Sequence, residues 1–119
     1  MSFADANDDC RMSLVRTLVE YHLPIDFTLA ELAKLPWDVH TPLLRMARLD
    51  VQNILHRFIA HELSASQVED WANLVECRDD IDLSGETGVV TEIISRLANP
   101  YLHKPISIAL ATEILNDWQ

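Results

Sequence analysis

The chain has 119 residues and sets 19 Asp and Glu against 9 Lys and Arg, a formal charge of −10 with histidines neutral. Phosphate contacts need clustered cations, so the overall field argues against direct nucleic-acid binding. With 49% hydrophobic and 24% charged residues, the composition is that of one folded domain spanning residues 1–119 and not of a disordered acidic tail.

Met1 to Arg11 carries Asp5, Asp8 and Asp9 where a secretory signal would be basic and then apolar, and residues 1–9 are expected to be disordered. No uncharged apolar run approaches the ~18 residues of a membrane span. Cys10 and Cys77 lie far apart without a partner motif, which indicates neither a disulfide framework nor a zinc site and fits the reducing cytoplasm. Glycine occurs only at Gly85 and Gly88, too sparse for the tight hairpins that sheets demand, so the expectation is an all-α, single-domain, compact bundle of five or six helices.

Taken in chain order, Met12 to His22 reads as helix, stopped by Pro24. Thr28 with Glu31 has capping-box spacing and opens a short helix that Pro36 ends. The longest apolar stripe follows: Thr41 as N-cap, Pro42 at the first helical position, and Leu43, Leu44, Ala47, Val51, Ile54, Leu55, Phe58 and Ile59 on one broad face to about Glu62. A second capping box, Ser64 with Gln67, starts a helix to Cys77 with Val68, Trp71, Ala72 and Val75 on one stripe. After the glycines, Val89, Val90, Ile93, Ile94 and Leu97 share a face up to Asn99-Pro100. Ser107 caps a last helix with Ile108, Ala111, Ile114, Leu115 and Trp118 in line. Trp71 and Trp118 are expected in the core, and Trp37, in a loop, is either exposed as an interface anchor or folded back onto the core.

Charge is unevenly spread. From Glu62 to Glu92 there are nine acids and one base, Arg78, a net of −8, whereas residues 41–61 carry +2 and residues 93–119 sum to zero. On the helix after Ser64, Glu69 and Glu76 fall within one arc, and Asp79, Asp80 and Asp82 continue past its C-terminus. Acids there oppose the helix dipole and repel one another, at a few tenths of a kcal/mol each. Glu69, Asp70, Glu76, Asp79, Asp80 and Asp82 are therefore the candidate surface for a cationic partner; the competing account is a solvated acidic face.

Asp80-Ile81-Asp82-Leu83-Ser84-Gly85 matches the opening of a calcium-binding EF-hand loop, but its twelfth position, where a bidentate Glu should close the shell, is Thr91. A calcium-responsive helix-loop-helix is thus an alternative with a weak ligand set. His56 and His61 are five residues apart and diverge by ~140° on an ideal helix, which does not suit one metal ion. No G-x-S-x-G turn or glycine-rich phosphate loop occurs, so neither an enzyme nor a cofactor is indicated.

Four segments, Arg57 to Ser64, Val68 to Ala72, Arg78 to Asp82 and Leu97 to Pro100 before a terminal amphipathic helix, carry a family likeness. From about Ile54 onward, covering half the chain, the sequence resembles small acidic helical immunity proteins that bacteria encode beside secreted toxins, of the contact-dependent growth inhibition and colicin type. The likeness implies a protein without activity of its own that binds a toxin domain, an RNase or DNase, and covers its substrate site. A regulator that mimics nucleic acid to block a DNA-binding protein would share the same acidic patch.

Overall fold

The computed structural model describes residues 3–35, 44–78, 80–85 and 88–118, with side chains from residue 11 onward. The described residues form six helices: α1 (Phe3–Glu20), α2 (Asp26–Ala33), α3 (Arg48–Ile59), α4 (Ala65–Glu76), α5 (Val89–Ala98) and α6 (Ile108–Asp117). A two-residue parallel pairing, β1 (Leu44–Arg45) with β2 (Ile81–Asp82), ties two connectors together, with Leu44 opposite Ile81 and Arg45 opposite Asp82. The all-α class expected from glycine scarcity is the class observed.

One core unites these elements. Trp71, Val68, Ala72 and Val75 of α4 are completely buried, and α4 packs most extensively on α5 through Val90, Ile93, Ile94 and Leu97. Val51, Ile54, Leu55 and Phe58 of α3 face Leu110, Ala111, Ile114 and Leu115 of α6. Val15, Leu18 and Val19 of α1 close the third side. Each full burial of such a side chain contributes roughly 1.5–3 kcal/mol.

Helix boundaries follow local chemistry where the capping side chain is free to act. Ser64 Oγ accepts the Gln67 N–H (3.1 Å) and Gln67 Oε1 accepts the Ser64 N–H (2.8 Å), the reciprocal box read from the sequence. Ser107 Oγ accepts the Leu110 N–H in the same way (3.1 Å). Ser107 therefore opens α6 as expected, with its first residue, Ile108, still 43% exposed.

Three boundaries differ from the sequence reading. α1 begins at Phe3, well before Met12. α2 begins at Asp26, and Thr28 is buried within its first turn instead of capping it, because the Leu29 N–H already bonds the Ile25 carbonyl (3.0 Å). The long helix is shorter: Leu44 and Arg45 are strand, since the N–H groups of Leu44 and Met46 donate to the carbonyls of Asp80 (3.2 Å) and Asp82 (2.9 Å). Helix resumes only at Arg48, where the Asp50 carboxylate accepts the Ala47 N–H (2.8 Å). Thr41, Pro42 and Trp37 lie outside the described residues.

Two helices end on left-handed residues that are not glycine. At Tyr21 (φ +54°) the N–H bonds the Leu18 carbonyl (3.0 Å) and the next N–H, of His22, bonds Thr17 (3.3 Å). At His61 (φ +65°) the same pair runs to Phe58 (3.0 Å) and from Glu62 to Arg57 (2.8 Å). Both are Schellman endings, which use the left-handed residue to satisfy carbonyls the helix leaves orphaned. The two glycines are spent elsewhere: Gly88 (φ +88°) opens α5, and a Cβ at Gly85 would press within 3.3 Å of the Met46 carbonyl.

The carbonyls at the end of α1 receive further partners from other helices. Trp71 Nε1 donates to Val19 (3.0 Å), and Arg57 Nη1 donates to both Glu20 (2.9 Å) and Tyr21 (3.1 Å). A cation at a helix C-terminus also complements its dipole. Thus α3 and α4 together fix the corner from which α2 departs, and with it the orientation of α2 beside α4.

Candidate functional site

The apolar stripe of α4 faces α5, so its other side must face water. Asp70, Asn73 and Glu76 are exposed there and Glu69 is half-buried at its margin, with the Asn73 side chain donating to the Glu69 carbonyl (3.0 Å). Among the described residues, Glu69, Asp70 and Glu76 form no ion pair and no side-chain hydrogen bond through their carboxylates. Of the six candidate carboxylates, Glu69 and Glu76 therefore share one side of α4, and Asp70, ~100° round the helix from Glu69, stands toward α2.

The others do not join them. Asp80 is only 2% exposed, and both its oxygens are taken by Arg78, from Nε and Nη2, each at 2.8 Å. A buried carboxylate is costly unless paired, and the guanidinium two residues earlier provides a bidentate partner. Asp82 bonds Arg45 Nε (3.2 Å) through one oxygen and the Ser84 N–H (2.9 Å) and hydroxyl (2.6 Å) through the other. The two Ser84 bonds, helped by Arg45, hold its carboxyl below the usual carboxylate range. Asp80 is thus buried and paired and offers no surface to a partner, which corrects its assignment from charge clustering, and Asp82, partly exposed, joins the connectors through Arg45. Asp79 lies outside the described residues.

The same geometry bears on the calcium alternative. Its first ligand position, Asp80, is chelated by arginine, and Ile81 and Asp82 are held in strand pairing. Among the described residues, no three His, Cys, Asp or Glu side chains are placed to hold a metal ion. His56 lies in α3, whereas His61 is past its end, so the two histidines share no helix face.

Two hollows flank the corner where α1 ends. One, about 670 Å³, is polar and lined by Glu20, His22, Asp50, Asn53, His56, Arg57 and Glu62, with Ala60. Its charges are largely engaged: Glu20 with His22 (2.8 Å), Asp50 with Arg16 (3.0 Å) and Arg57 with the end of α1. The other, about 630 Å³, runs between α2 and α4. Tyr21, Ile25, Asp26 and Leu29 form one wall, and Asp70, Asn73, Leu74, Cys77 and Arg78 the other. Burial, then the nearby Asp70 carboxylate, raise the Tyr21 phenol above its ordinary pKa against the opposing pull of Arg57, which keeps it protonated through the neutral range.

This groove escaped the sequence reading, since a cap placed at Thr28 left Asp26 outside the helix. Once α2 begins at Asp26, Asp26 and Leu29 stand at i and i+3 on one face. Asp70 then belongs to both features, the acidic face of α4 and the rim of the groove.

In comparison with known proteins, no family model, no curated protein and no solved structure matches the chain. Among the described residues no helix is long and apolar enough to cross a membrane.

Proposed function

We propose that the protein is an immunity-type inhibitor that binds a cationic toxin domain, a nuclease, and covers its substrate site with the outer face of α4. The observation that carries this reading is the set of three carboxylates, Glu69, Asp70 and Glu76, that no cation among the described residues neutralises. Glu76, the last residue of α4, opposes the helix dipole, and Glu69 and Asp70, in mid-helix, gain nothing from it, so stability does not explain the set. A nuclease must display a cationic cleft for phosphate, and an acidic helix is complementary to it. Such complementarity steers encounter and raises association rates by as much as ~10³-fold at low salt.

The test is co-expression with the polypeptide encoded immediately upstream in the same genome. Growth arrest by that polypeptide, relieved by this protein, is the expected result. The reversal E69K/D70K/E76K is expected to keep a cooperative melt and to lose protection, with association slowed at least tenfold at low salt. Unchanged protection by the reversed protein would overturn the assignment of the α4 face. Absence of any protective effect would overturn the function, and binding to a DNA-binding regulator would replace the toxin by that class of partner.

A further inference from the structure

We infer that the groove between α2 and α4 receives a large apolar side chain carried on a basic helical segment of the partner protein. This rests on the reading above in taking the partner to be cationic, and it adds where affinity, as distinct from steering, would come from.

Two properties of the groove meet in one place. Its floor is apolar: Ile25, Leu29 and Leu74 are only half-buried, so each leaves hydrocarbon in contact with water. Its rims are acidic, with Asp26 on the α2 side and Asp70 on the α4 side, and neither forms an ion pair among the described residues. Arg78, the only cation in the lining among the described residues, is held by Asp80 and pairs with neither rim. A neutral apolar ligand would leave both carboxylates uncompensated, and a purely polar cation would leave the floor wet. A segment presenting Leu or Trp on one face with Lys or Arg beside it satisfies both, in the helix-in-groove mode.

The size agrees. About 630 Å³ exceeds a single side chain and suits one or two turns of helix seated by their apolar face. Interfaces draw most of their affinity from a few such buried anchors ringed by polar contacts. The polar hollow does not compete for this role, because it lacks an apolar floor and its Glu20, Asp50 and Arg57 are already engaged by His22, Arg16 and the end of α1.

The experiment titrates the uniformly ¹⁵N-labelled full chain with two synthetic Lys-rich helical peptides that differ only in having Leu or Ala at two positions four residues apart. The Leu peptide is expected to bind at least tenfold more tightly, with amide shifts confined to residues 21–33 and 70–78. Leu29→Glu is expected to abolish the preference for Leu while leaving the weak binding of the Ala peptide. Leu74→Glu, on the opposite wall, is measured in parallel so that poor folding of one variant does not decide the matter. Equal affinity for both peptides, or shifts that follow Glu69 and Glu76 on the outer face instead, would overturn the groove and leave the acidic-face reading standing. Failure of E69K/E76K, which leaves Asp70 on the groove rim, to affect protection would overturn the outer-face reading while a Leu preference upheld the groove.

Discussion

On the outer face of α4, Glu69, Asp70 and Glu76 stand clear of any cation among the described residues, whereas a few residues further along the chain Asp80 and Asp82 are each taken up by an arginine. By sequence the two groups form one acidic run. In space the first is available to another molecule and the second joins the connector to β1. The difference lies in burial and in the β1–β2 pairing: once Ile81 is packed inward beside Leu44, Asp80 is drawn to where an unpaired carboxylate would be expensive, and Asp82 is set opposite Arg45.

The largest effect that would break this comparison belongs to Asp80. Asp80→Asn leaves Arg78 without its bidentate partner and is expected to destabilise the protein by about 3 kcal/mol, read from the urea midpoint at unchanged slope. A change below about 0.5 kcal/mol would place Asp80 with the surface acids.

Acid pH sharpens the contrast next. The Asp82 carboxyl is held below its unfolded value, so its contribution is complete above about pH 4 and is lost as pH falls through the depressed folded pKa. The Asp82→Asn variant is expected to show a shallower decline of melting temperature below pH 4 than the parent. An identical decline would remove the Ser84 and Arg45 contacts from the account.

Tyr21 reports on the α4 side at the other extreme. Its raised pKa means that the stability it contributes is complete below about pH 10 and is lost as pH rises through the folded value. In a Tyr101→Phe background, Asp70→Asn is expected to move the phenolate absorbance of Tyr21 to lower pH, since one of the two influences raising it is gone. No movement would mean that the Asp70 charge is not felt in the groove.

The smallest effect on stability is expected from neutralising the α4 acids. E69Q/D70N/E76Q should change unfolding free energy by no more than about 0.5 kcal/mol, toward greater stability, because like charges are removed from one helix and Glu76 no longer opposes the dipole at its C-terminus. A loss of 2 kcal/mol or more would show that these side chains fold the protein after all.

Much of the architecture was legible because it is local. The Ser64–Gln67 box, the Ser107 cap and the stripes of α4, α5 and α6 are decided within a few residues, and periodicity reads them directly. What failed is non-local or atypical. Leu44 continues the apolar pattern of α3, yet its amide and that of Met46 are claimed by carbonyls some 36 residues away, which no helical template registers. Tyr21 and His61 stop helices in a conformation for which the sequence rule expects glycine. The acidic face of α4 was readable for the same reason its apolar face was, whereas the groove depended on where α2 begins.

The corner at the end of α1 has a further implication. Trp71 and Arg57 hold the backbone of Val19, Glu20 and Tyr21 from within, and among the described residues the carboxylates of α4 make no ion pair. Substitutions on that outward surface can accumulate one at a time without compensating changes in the interior. A lineage built on this scaffold is therefore free to vary that surface while inheriting the same architecture.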